Sequence, residues 1–518
     1  MPLILAVPKE SAEGERRVAL DPSVVERLLQ QLSVKVIIES GCGRGAGFYD
    51  SDYEGIEVAD SFANTVKLAA VVLKVNPPTV DEAKLLPIGS VLVAQIIPYL
   101  HLDVIRVLQK RNITTLAMDL VPRITRAQPM DVLSSQATVA GYKAALLAAE
   151  ISPRLFPMLT TAAGTIRPSR VIVIGAGVAG LQAIATARRL GAQVEAYDIR
   201  SAAKEQIESL GARMIDTGVE AESSGGYARA LTKEEKQKQH DVLAERMSQA
   251  HAVICAAAIP GRKAPVIITQ DMVEGMLPDT VIVDMAADSG GNCELTHIGE
   301  TYMHGDVFIV GATNLPSSGS VHASEMYARN LLSMLRLMLS DGQLHLDWRD
   351  EILAACLLTH NGAIYNAHTA ELMDQPCAPP IGCAKAEGQE DQQAAGWIAE
   401  EQLDDDSSEN DHAPISRHTA QAAPEANAAT GSRQQQESSG GSGDGGSDDE
   451  PDIRDDLTVI EGIGPALQNR LYAYGVKQYS QLASLDADGI HRLEIQLELV
   501  NHEALVEWVA EAAQLERK

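Results

Sequence analysis

Three glycines at a fixed spacing mark the stretch of the chain whose chemistry is easiest to interpret. Gly175, Gly177 and Gly180 form the pattern G-x-G-x-x-G, directly after the apolar run VIVI and at the start of the helix-like run VAGLQAIATARR. In this pattern the first glycine makes a tight turn, the second lets a pyrophosphate approach the backbone, and the third lets a helix pack closely on a strand. Because a helix N-terminus offers N–H groups to an anion, the pattern predicts a dinucleotide-binding turn.

A carboxylate ends the next strand-like run, VEAYDI. Asp198 lies about 20 residues after the glycine turn, where a side chain can accept hydrogen bonds from the adenosine ribose hydroxyls of a dinucleotide. This placement predicts NAD(H), rather than NADP(H), as the ligand. A glycine-rich turn without a ligand is the alternative.

Polar side chains also gather in the segment MDLVPRITRAQPMDVLSSQ, which leaves a strand-like run and enters a helix-like one. Pro129 suits the first turn of that helix. Asp131 and Ser134 are three residues apart and would share one helix face, and Arg123 and Gln128 precede them. Ligands of open α/β sheets bind at the carboxyl ends of the strands, so this patch is a candidate ligand site. A helix cap with solvated side chains is the alternative, and the spacing alone does not separate the two.

A Gly/Ser loop, ESSGGY, lies in the charged stretch that follows the central unit. Glycines beside an aromatic residue, here Gly226 beside Tyr227, suit a lid that closes over a bound ring. The residues alone favour the alternative, an exposed crossover loop.

The elements around these residues alternate between strand-like and helix-like patterns. Early in the chain PLILAVP, VKVIIES, VVLKVNPP and SVLVAQIIP are typical of strands, and a helix is predicted to begin at Asp21 and Pro22. After the glycine turn, AVICAAAIP, TVIVDMAAD and VFIVGATN continue the strand pattern. Such alternation predicts parallel sheets with helices on both faces. We therefore expect two Rossmann-like, doubly wound α/β domains with a cleft between them.

The helix VHASEMYARNLLSMLRLML is expected to return to the first domain. The chain then divides into four predicted segments: a first Rossmann-like domain (1–135 with 320–366), an NAD(H)-binding Rossmann domain (136–319), a disordered acidic linker (367–452) and a small all-α module (453–518). The linker is acidic, Gln/Ser/Gly-rich and poor in aromatic residues, so it cannot bury enough apolar surface to fold. In the last segment, helical patterns lie on both sides of Gly462-Ile463-Gly464.

The charge distribution excludes some classes of partner. Of the net charge of −29, −14 belongs to residues 387–450 and −6 to residues 451–518, which leaves −9 for the rest. Acidity in all three parts argues against a nucleic-acid or anionic-membrane surface. The six cysteines have no C-x-x-C pair and no metal-ligand spacing, which predicts reduced thiols and no metal site. Without a signal peptide or a long apolar run, the sequence predicts a cytoplasmic protein.

Residues 1 to about 366 resemble the NAD(H)-binding subunit of proton-translocating nicotinamide nucleotide transhydrogenases, the soluble domain I of the alpha subunit. The motifs that carry the resemblance are VPKESAEGERRVAL, VVLKVNPP, MDLVPRITRAQPMDVLSSQATVAGY, VIVIGAGVAGLQAIATARRLGAQVEAYDIR, GGYARA, IPGRKAP and DMAADSGGNCE. The segment RAQPMDVLSSQ is the most specific of these. The last portion of the chain resembles helix-hairpin-helix domains.

The transhydrogenase resemblance implies roles for particular residues. The implied contacts are Arg123, Gln128, Asp131 and Ser134 at the nicotinamide end, Gly175, Gly177, Val178, Ala179 and Gly180 at the pyrophosphate, Asp198, Ile199 and Arg200 at the adenosine ribose, Gly226 and Tyr227 in a closing loop, and Gln239 and Ala258 as further contacts. The four nicotinamide-end residues and Tyr227 are implied to act at the reacting end. Arg123 would orient the carboxamide and ribose, and Gln128 would reach toward the partner's nucleotide. Relatives usually have leucine at the position of Ala258.

The implied reaction is direct, Re/Si-specific hydride transfer between NADH and NADP+. NADP(H) is held by a separate NADP(H)-binding subunit, and transfer is coupled to proton movement through a membrane-embedded proton-channel subunit. No side chain need act as a nucleophile or an acid, because the protein aligns two nicotinamide rings and excludes water. The resemblance also implies a homodimer that is peripheral to the inner membrane through its partner subunits.

An alanine dehydrogenase-like amino-acid oxidoreductase is the alternative function, because that family has a similar fold. Arg17 and Asp288 match its pattern. Asn76, however, stands where a second lysine holds the substrate carboxylate, and Ile97 or Pro98 stands where the catalytic histidine is expected. Without a general acid and base, imine chemistry would be slow.

A third, non-enzymatic hypothesis is an NAD-sensing adaptor whose tail recruits a partner. The C-terminal module is expected to dock a protein rather than DNA. Helix-hairpin-helix modules that bind DNA phosphates need basic neighbours, and here Arg470 alone lies close in sequence while residues 451–518 carry a net charge of −6.

Overall fold

The computed structural model describes residues 3–219, 232–258, 263–340 and 342–381, together with isolated positions between 455 and 508. Gly226, Tyr227, most of the predicted linker and the Gly462-Ile463-Gly464 turn lie outside the described residues. The chain divides into two units, Met1–Ile398 and Ala399–Lys518. The candidate site lies in the first unit.

Strands and helices alternate along the first unit. The strands are β1 (Ile4–Val7), β2 (Lys35–Glu39), β3 (Glu57–Ala59), β4 (Val71–Leu73), β5 (Val91–Ala94), β6 (Thr114–Ala117), β7 (Leu159–Thr161), β8 (Gly164–Ile166), β9 (Arg170–Ile174), β10 (Gln193–Tyr197), β11 (Arg213–Met214), β12 (Ala252–Cys255), β13 (Val281–Asp284), β14 (Thr301–His304), β15 (Val307–Gly311), β16 (Leu339–Ser340), β17 (Gln343–Leu344), β18 (Leu357–His360) and β19 (Ala363–Ile364).

The α-helices of this unit are α1 (Pro22–Leu32), α2 (Phe62–Val66), α3 (Val80–Leu85), α4 (Leu102–Lys110), α5 (Val132–Ile151), α6 (Val178–Arg189), α7 (Ala203–Ser209), α8 (Lys233–Met247), α9 (Gln270–Glu274), α10 (Ser320–Met338), α11 (Glu351–Cys356) and α12 (Ala367–Leu372). As predicted, α1 begins at Pro22. Asp21 is its N-cap and accepts a hydrogen bond from the backbone N of Val24 at 2.7 Å. In the second unit, Tyr479–Ala483 is helical.

The first sheet has eight strands in the order β19-β18-β6-β5-β4-β1-β2-β3. The strands β1 to β6 are parallel, and β18 and β19 extend the sheet in antiparallel fashion at one edge. From β3 to β6 this is the 3-2-1-4-5-6 order of a Rossmann fold. Its strands are apolar on both faces because helices cover both, as the fully buried Leu5, Val72 and Leu92 illustrate.

The second sheet has seven strands in the order β11-β10-β9-β12-β13-β15-β14. All neighbours are parallel except β14, which pairs antiparallel with β15. Up to β15 the order is again that of a Rossmann fold, with the glycine turn after its central first strand. Residues Val171 to Ile174 of that strand are at most 3% exposed.

Two long helices connect the sheets. The start of α5 contributes Val132 to the core of the first sheet, and its second half contributes Ala144 and Ala148 to the core of the second. The helix α10 returns to the first core with Tyr327. Loops that follow the strands of both sheets therefore meet between them.

The prediction of two Rossmann-like parallel-sheet domains is confirmed. The boundaries of the four predicted segments stay predictions. Over the residues that the structure describes, no helix is both long enough and apolar enough to cross a membrane.

Candidate functional site

The glycine turn joins β9 to α6, and its three glycines have different surroundings. Gly175 has a φ of +91°, which favours glycine, and a Cβ added there would lie 2.8 Å from the backbone N of Ala257. A Cβ added at Gly180 would lie 1.8 Å from the carbonyl oxygen of Gly175, so glycine is what lets α6 pack on the turn. A Cβ added at Gly177 would meet no atom within 4 Å. The turn is therefore closely packed at two glycines and open at the third.

The first turn of α6 presents backbone N–H groups beside this open position. Gly177 is the N-cap, and within the described part of the chain no side chain caps the helix. Uncapped N–H groups at a helix N-terminus attract an anion through hydrogen bonds and the helix dipole. Val178 is 43% exposed, so the helix start is accessible. The backbone at Gly177, Val178 and Ala179 thus fits a pyrophosphate.

Asp198 directly follows β10, and its carboxylate is held next to the glycine turn. Its Oδ2 accepts a hydrogen bond from the backbone N of Ala176 at 2.7 Å, and Arg200 donates from Nε to Oδ1 and from Nη2 to Oδ2, both at 2.9 Å. Burial alone would raise the pKa of Asp198, but the hydrogen bonds and charge of Arg200 outweigh it and the pKa lies below its ordinary value. The carboxylate is therefore ionised, as an acceptor for ribose hydroxyls must be.

The other positions implied for the adenosine end lie on three different segments. Ile199 is half-buried and packs on the core of the second sheet. Gln239 is half-buried on α8, and Ala258 is exposed after the end of β12. The closing-loop residues Gly226 and Tyr227 lie outside the described residues.

The residues implied for the nicotinamide end lie on one loop and the helix that follows it. Arg123 and Gln128 are exposed between β6 and α5, and Gln128 is part of the 3₁₀ helix Thr125–Met130. Asp131 is the N-cap of α5: its Oδ1 accepts a hydrogen bond from the backbone N of Ser134 at 2.9 Å, and its Oδ2 accepts one from Ser134 Oγ at 2.6 Å. The structure thus places all four on a continuous stretch after a strand's carboxyl end.

The helix-cap interpretation of this stretch is correct for Asp131, but it does not exclude a ligand. Each carboxylate oxygen has more than one lone pair, so a capping carboxylate still accepts further hydrogen bonds. The expectation for Pro129 is wrong, because Asp131 caps the helix and Pro129 therefore lies in the preceding 3₁₀ helix rather than in the first turn of α5.

Arg17, which matches the alanine dehydrogenase pattern, already has a carboxylate partner. Its guanidinium donates to Glu15 from Nε at 2.9 Å and from Nη2 at 2.6 Å, and to Gln136 Oε1 from Nη1 at 2.9 Å. Asn76 Nδ2 also donates to Glu15, at 2.8 Å. Burial of the Glu15 side chain opposes its ionisation, yet Arg17 lowers the pKa of Glu15 to about 2. A substrate carboxylate would have to displace Glu15.

The strand end at which alanine dehydrogenases have a histidine carries an apolar residue in an unusual conformation. Ile97 has a φ of +49°, which is rare for a β-branched residue. Asp119 holds this conformation, because its two carboxylate oxygens accept hydrogen bonds from the backbone N of Ile96 at 2.6 Å and of Ile97 at 3.0 Å. Neither Ile97 nor Pro98 can act as a general acid, so the geometry does not support imine chemistry.

Matches to protein-family models cover both sheets and the tail. Residues 6–140 match the alanine dehydrogenase/PNT N-terminal domain, and residues 144–367 match the alanine dehydrogenase/PNT C-terminal domain. Residues 457–516 match the RS2/RL21/YNQ2 HHH domain, which confirms the helix-hairpin-helix resemblance.

Individual relatives separate the two branches of this family. The chain is 43% identical over 373 residues to the first part of the NAD(P) transhydrogenase alpha subunit of Rhodospirillum rubrum. The alignment covers 70% of this chain and 97% of that protein. The chain belongs to the family of NAD(P) transhydrogenase alpha subunits. The solved structure of the transhydrogenase from Sinorhizobium meliloti is also 43% identical, with a TM-score of 0.64, and the match covers 70% of this chain and 99% of that one.

Alanine dehydrogenase is a more distant relative of this transhydrogenase alpha chain. The Bacillus subtilis enzyme is 29% identical over 330 residues, which are 61% of this chain and 80% of that protein. The transhydrogenase resemblance is thereby confirmed and favoured over the alternative. As a member of the transhydrogenase alpha family, the chain is an oxidoreductase subunit, and the family implies NAD(H) binding. Because its relatives are alpha subunits of an enzyme with several subunits, partner subunits are implied as well.

Sequence patterns missed several residues of the transhydrogenase fold around this site. Glu15 lies two residues before Arg17, and opposite charges at that spacing were a usable signal. Gly141 lies within α5, and a Cβ there would lie 2.0 Å from the carbonyl oxygen of Ala179 at the start of α6. An isolated glycine in a helical pattern often marks such a close approach. Gln136 and Asn314 gave no signal, because their contacts with Arg17 join distant segments.

Proposed function

We propose that the chain is the NAD(H)-binding subunit of a proton-translocating transhydrogenase and that it takes part in Re/Si-specific hydride transfer between NADH and NADP+. The observation that carries the proposal is the open, uncapped glycine turn at Gly177, combined with the polar segment from Arg123 to Ser134, in which Arg123 and Gln128 are exposed, after a strand of the other sheet. Membership of the transhydrogenase alpha family supports it.

The binding roles follow the geometry of the second sheet. The backbone of Gly177, Val178 and Ala179 holds the pyrophosphate. Gly175 and Gly180 make this possible because they allow the turn and the helix to pack without side chains. Asp198, fixed by Arg200, accepts the adenosine ribose hydroxyls, and Ile199, Gln239 and Ala258 flank the adenosine end. A 2′-phosphate would meet the ionised carboxylate of Asp198, which favours NAD(H) over NADP(H).

The residues of the first sheet act at the nicotinamide end. Arg123 orients the carboxamide and ribose, and Gln128 reaches toward the partner's nucleotide. Asp131 and Ser134 are further contacts at the nicotinamide end, and the loop with Gly226 and Tyr227 closes over the site. NADH supplies the hydride. The side chains need only position the ring and exclude water, so no buried general acid is required.

The partners of the proposed enzyme are two other subunits and a second copy of this chain. NADP(H) binds on a separate subunit, and a membrane-embedded proton-channel subunit places the chain at the cytoplasmic face of the inner membrane. A homodimer accounts for apolar side chains that are 40–63% exposed on and beside the hairpin β7–β8, namely Leu155, Met158, Leu159 and Ile166. Contact with a second copy of the chain would bury this apolar patch and remove it from water.

We further propose that the four sequence segments are the functional domains. On this view the tail module docks a protein, because its net charge of −6 does not suit DNA phosphates.

The proposed activity is tested by mixing the purified chain with an NADP(H)-binding transhydrogenase subunit and following reduction of an NADP+ analogue by NADH. We expect exchange when both proteins are present and none with either alone. Tight NADH binding without exchange would contradict the proposal. NADH formation from NAD+ and L-alanine by the chain alone would instead support the alanine dehydrogenase alternative.

A matched pair of glutamine variants locates the reaction. Gln128→Ala should lower the exchange rate at saturating NADH by about tenfold, since it removes a positioning contact. Gln193→Ala, at an exposed position at the start of β10, should leave the rate unchanged. Equal hydride-exchange rates for the two variants would show that Gln128 is not part of the site.

A further inference from the structure

Asn330 lies on α10 and is 8% exposed. Its Nδ2 donates a hydrogen bond to the carbonyl oxygen of Pro129 at 2.7 Å, and its Oδ1 accepts one from Ser135 Oγ, also at 2.7 Å. Pro129 belongs to the polar loop before α5, and Ser135 belongs to the first turn of α5. One buried amide therefore joins both segments to a helix of the first core.

These two segments carry every nicotinamide-end residue that follows Arg123. Gln128 precedes Pro129, and Asp131 and Ser134 lie between Pro129 and Ser135. We propose that Asn330 is a positioning residue for hydride transfer, because it fixes the loop relative to α5. The proposal rests on the proposed function and names a residue that acts on that site without touching the nucleotide.

The chemistry of the two contacts explains why an asparagine suits this position. Pro129 offers an acceptor and Ser135 offers a donor, so the side chain between them needs an N–H donor and an oxygen acceptor on one short group. Aspartate lacks the donor, leucine lacks both, and glutamine is one methylene longer. Without the amide, the Pro129 carbonyl and the Ser135 hydroxyl each lose a part-buried hydrogen bond, which is costlier than the loss of an exposed one.

A second anchor on the same loop is weaker. Arg126 Nη1 lies 2.7 Å from Asp350 Oδ2, but the Arg126 side chain is 49% exposed and its charge is screened by water. The buried network around Asn330 is also more extensive, because Gln136 Nε2 donates to Ser135 Oγ at 3.4 Å and to the carbonyl oxygen of Ala323 on α10 at 3.0 Å. The position of the loop therefore depends mainly on α10.

The variant Asn330→Leu removes both contacts and keeps the branched shape and the number of heavy atoms of the side chain. We expect the hydride-transfer rate at saturating NADH and NADP+ to fall between about tenfold and a hundredfold, as small misplacements at a reacting end do. The Kd for NADH should change by less than about threefold, because the glycine turn and Asp198 are untouched.

Thr359→Val is the control: Thr359 is fully buried in the first sheet and also makes two hydrogen bonds, but away from the loop. Its rate should equal that of the natural chain.

Amide hydrogen exchange of residues 125–135 measures the anchoring independently of activity. It should be faster in Asn330→Leu and unchanged in Thr359→Val. The proposal would be overturned if Asn330→Leu changed neither the amide hydrogen exchange nor the hydride-transfer rate. It would also be overturned if Thr359→Val lowered the hydride-transfer rate as much as Asn330→Leu does. If Asn330→Leu does not fold, Ser135→Ala removes one of the two Asn330 contacts, together with the weaker hydrogen bonds of Ser135 Oγ with Val132 and Gln136, and should show the same changes at smaller size. Absence of hydride transfer in the natural chain would refute the proposed function. The amide hydrogen exchange of residues 125–135 would still decide whether Asn330 holds the loop.

Discussion

The pair of Glu15 and Arg17 shows how single residues limit the chemistry of this site. An arginine between two Rossmann-like sheets could bind a small carboxylic acid, but Glu15 already supplies a buried carboxylate through two hydrogen bonds. Displacing it would leave a buried, unpaired charge, which typically costs about 3–5 kcal/mol. The carboxylate of an amino acid would therefore have to compete with Glu15 for Arg17.

The same pair gives a prediction for the pH dependence of stability. The pKa of Glu15 is lowered from 4.5 to about 2 in the folded chain, which corresponds to about 3 kcal/mol. Because the folded pKa is the lower one, this stability is fully present above about pH 4.5 and is lost as the pH falls toward 2. Glu15→Gln should therefore unfold more easily than the natural chain at about pH 6, with a difference that shrinks in acid.

Urea denaturation at several pH values, from about 2.5 to about 6, would measure this difference in the free energy of unfolding. Glu13→Gln, at an exposed position in the same loop, is the control. A difference between Glu15→Gln and the natural chain that stays constant over this range would show that the carboxylate is not held by Arg17.

At the scale of elements, the close packing of α5 on α6 is the contact that relates the two parts of the proposed site. Gly141 on α5 lies directly against the carbonyl oxygen of Ala179, and Gly180 lies against that of Gly175. Both contacts leave no room for a Cβ. The helix α5, which follows the proposed nicotinamide-end loop, is therefore packed directly on α6, whose N-terminus is proposed to receive the pyrophosphate.

Two glycine substitutions should separate packing from binding. Gly141→Ala would gain about 1 kcal/mol of helix propensity, but its Cβ would lie 2.0 Å from the carbonyl oxygen of Ala179, so we expect a net loss of about 2 kcal/mol or more. Gly177→Ala meets open space at a φ of −77°, so its free energy of unfolding should change by less than about 0.5 kcal/mol while NADH binds at least about tenfold more weakly. Denaturation curves and NADH titrations measure both effects. A Gly177→Ala variant that binds NADH normally would mean that the pyrophosphate is elsewhere.

The elements were more predictable from the sequence than their contacts. The glycine pattern and the carboxylate of Asp198 have fixed positions relative to one strand and one helix, so local spacing was enough to find them. The start of α5 was misplaced at Pro129, because proline suits a 3₁₀ turn as well as a first helical turn. Asn330 and Asn314 could not be found in this way, since each joins segments that lie far apart in the chain.

At the scale of the whole molecule, the proposed function predicts separable roles for the two sheets and the tail. The residues proposed to bind NAD(H) lie within residues 123–258, in the first unit, whereas the HHH match lies within residues 457–516. Removing residues 453–518 should therefore leave NADH affinity and hydride exchange within about twofold of the full chain, because no proposed contact with the nucleotide is lost. Loss of hydride exchange in the truncated chain, with intact thermal stability, would contradict this separation of roles. Intact hydride exchange together with loss of the chain's function in the cell would favour the adaptor hypothesis.

The path of the transferred hydrogen is the sharpest test of the proposed reaction. NADH that carries deuterium at the transferred position of C4 is mixed in ordinary water with NADP+, this chain and an NADP(H)-binding transhydrogenase subunit, and the NADPH formed is analysed by mass spectrometry. Direct transfer between two aligned rings predicts that each NADPH carries one deuterium, on a single face of its ring. NADPH that carries hydrogen from water, or no NADPH at all despite bound NADH, would contradict direct transfer.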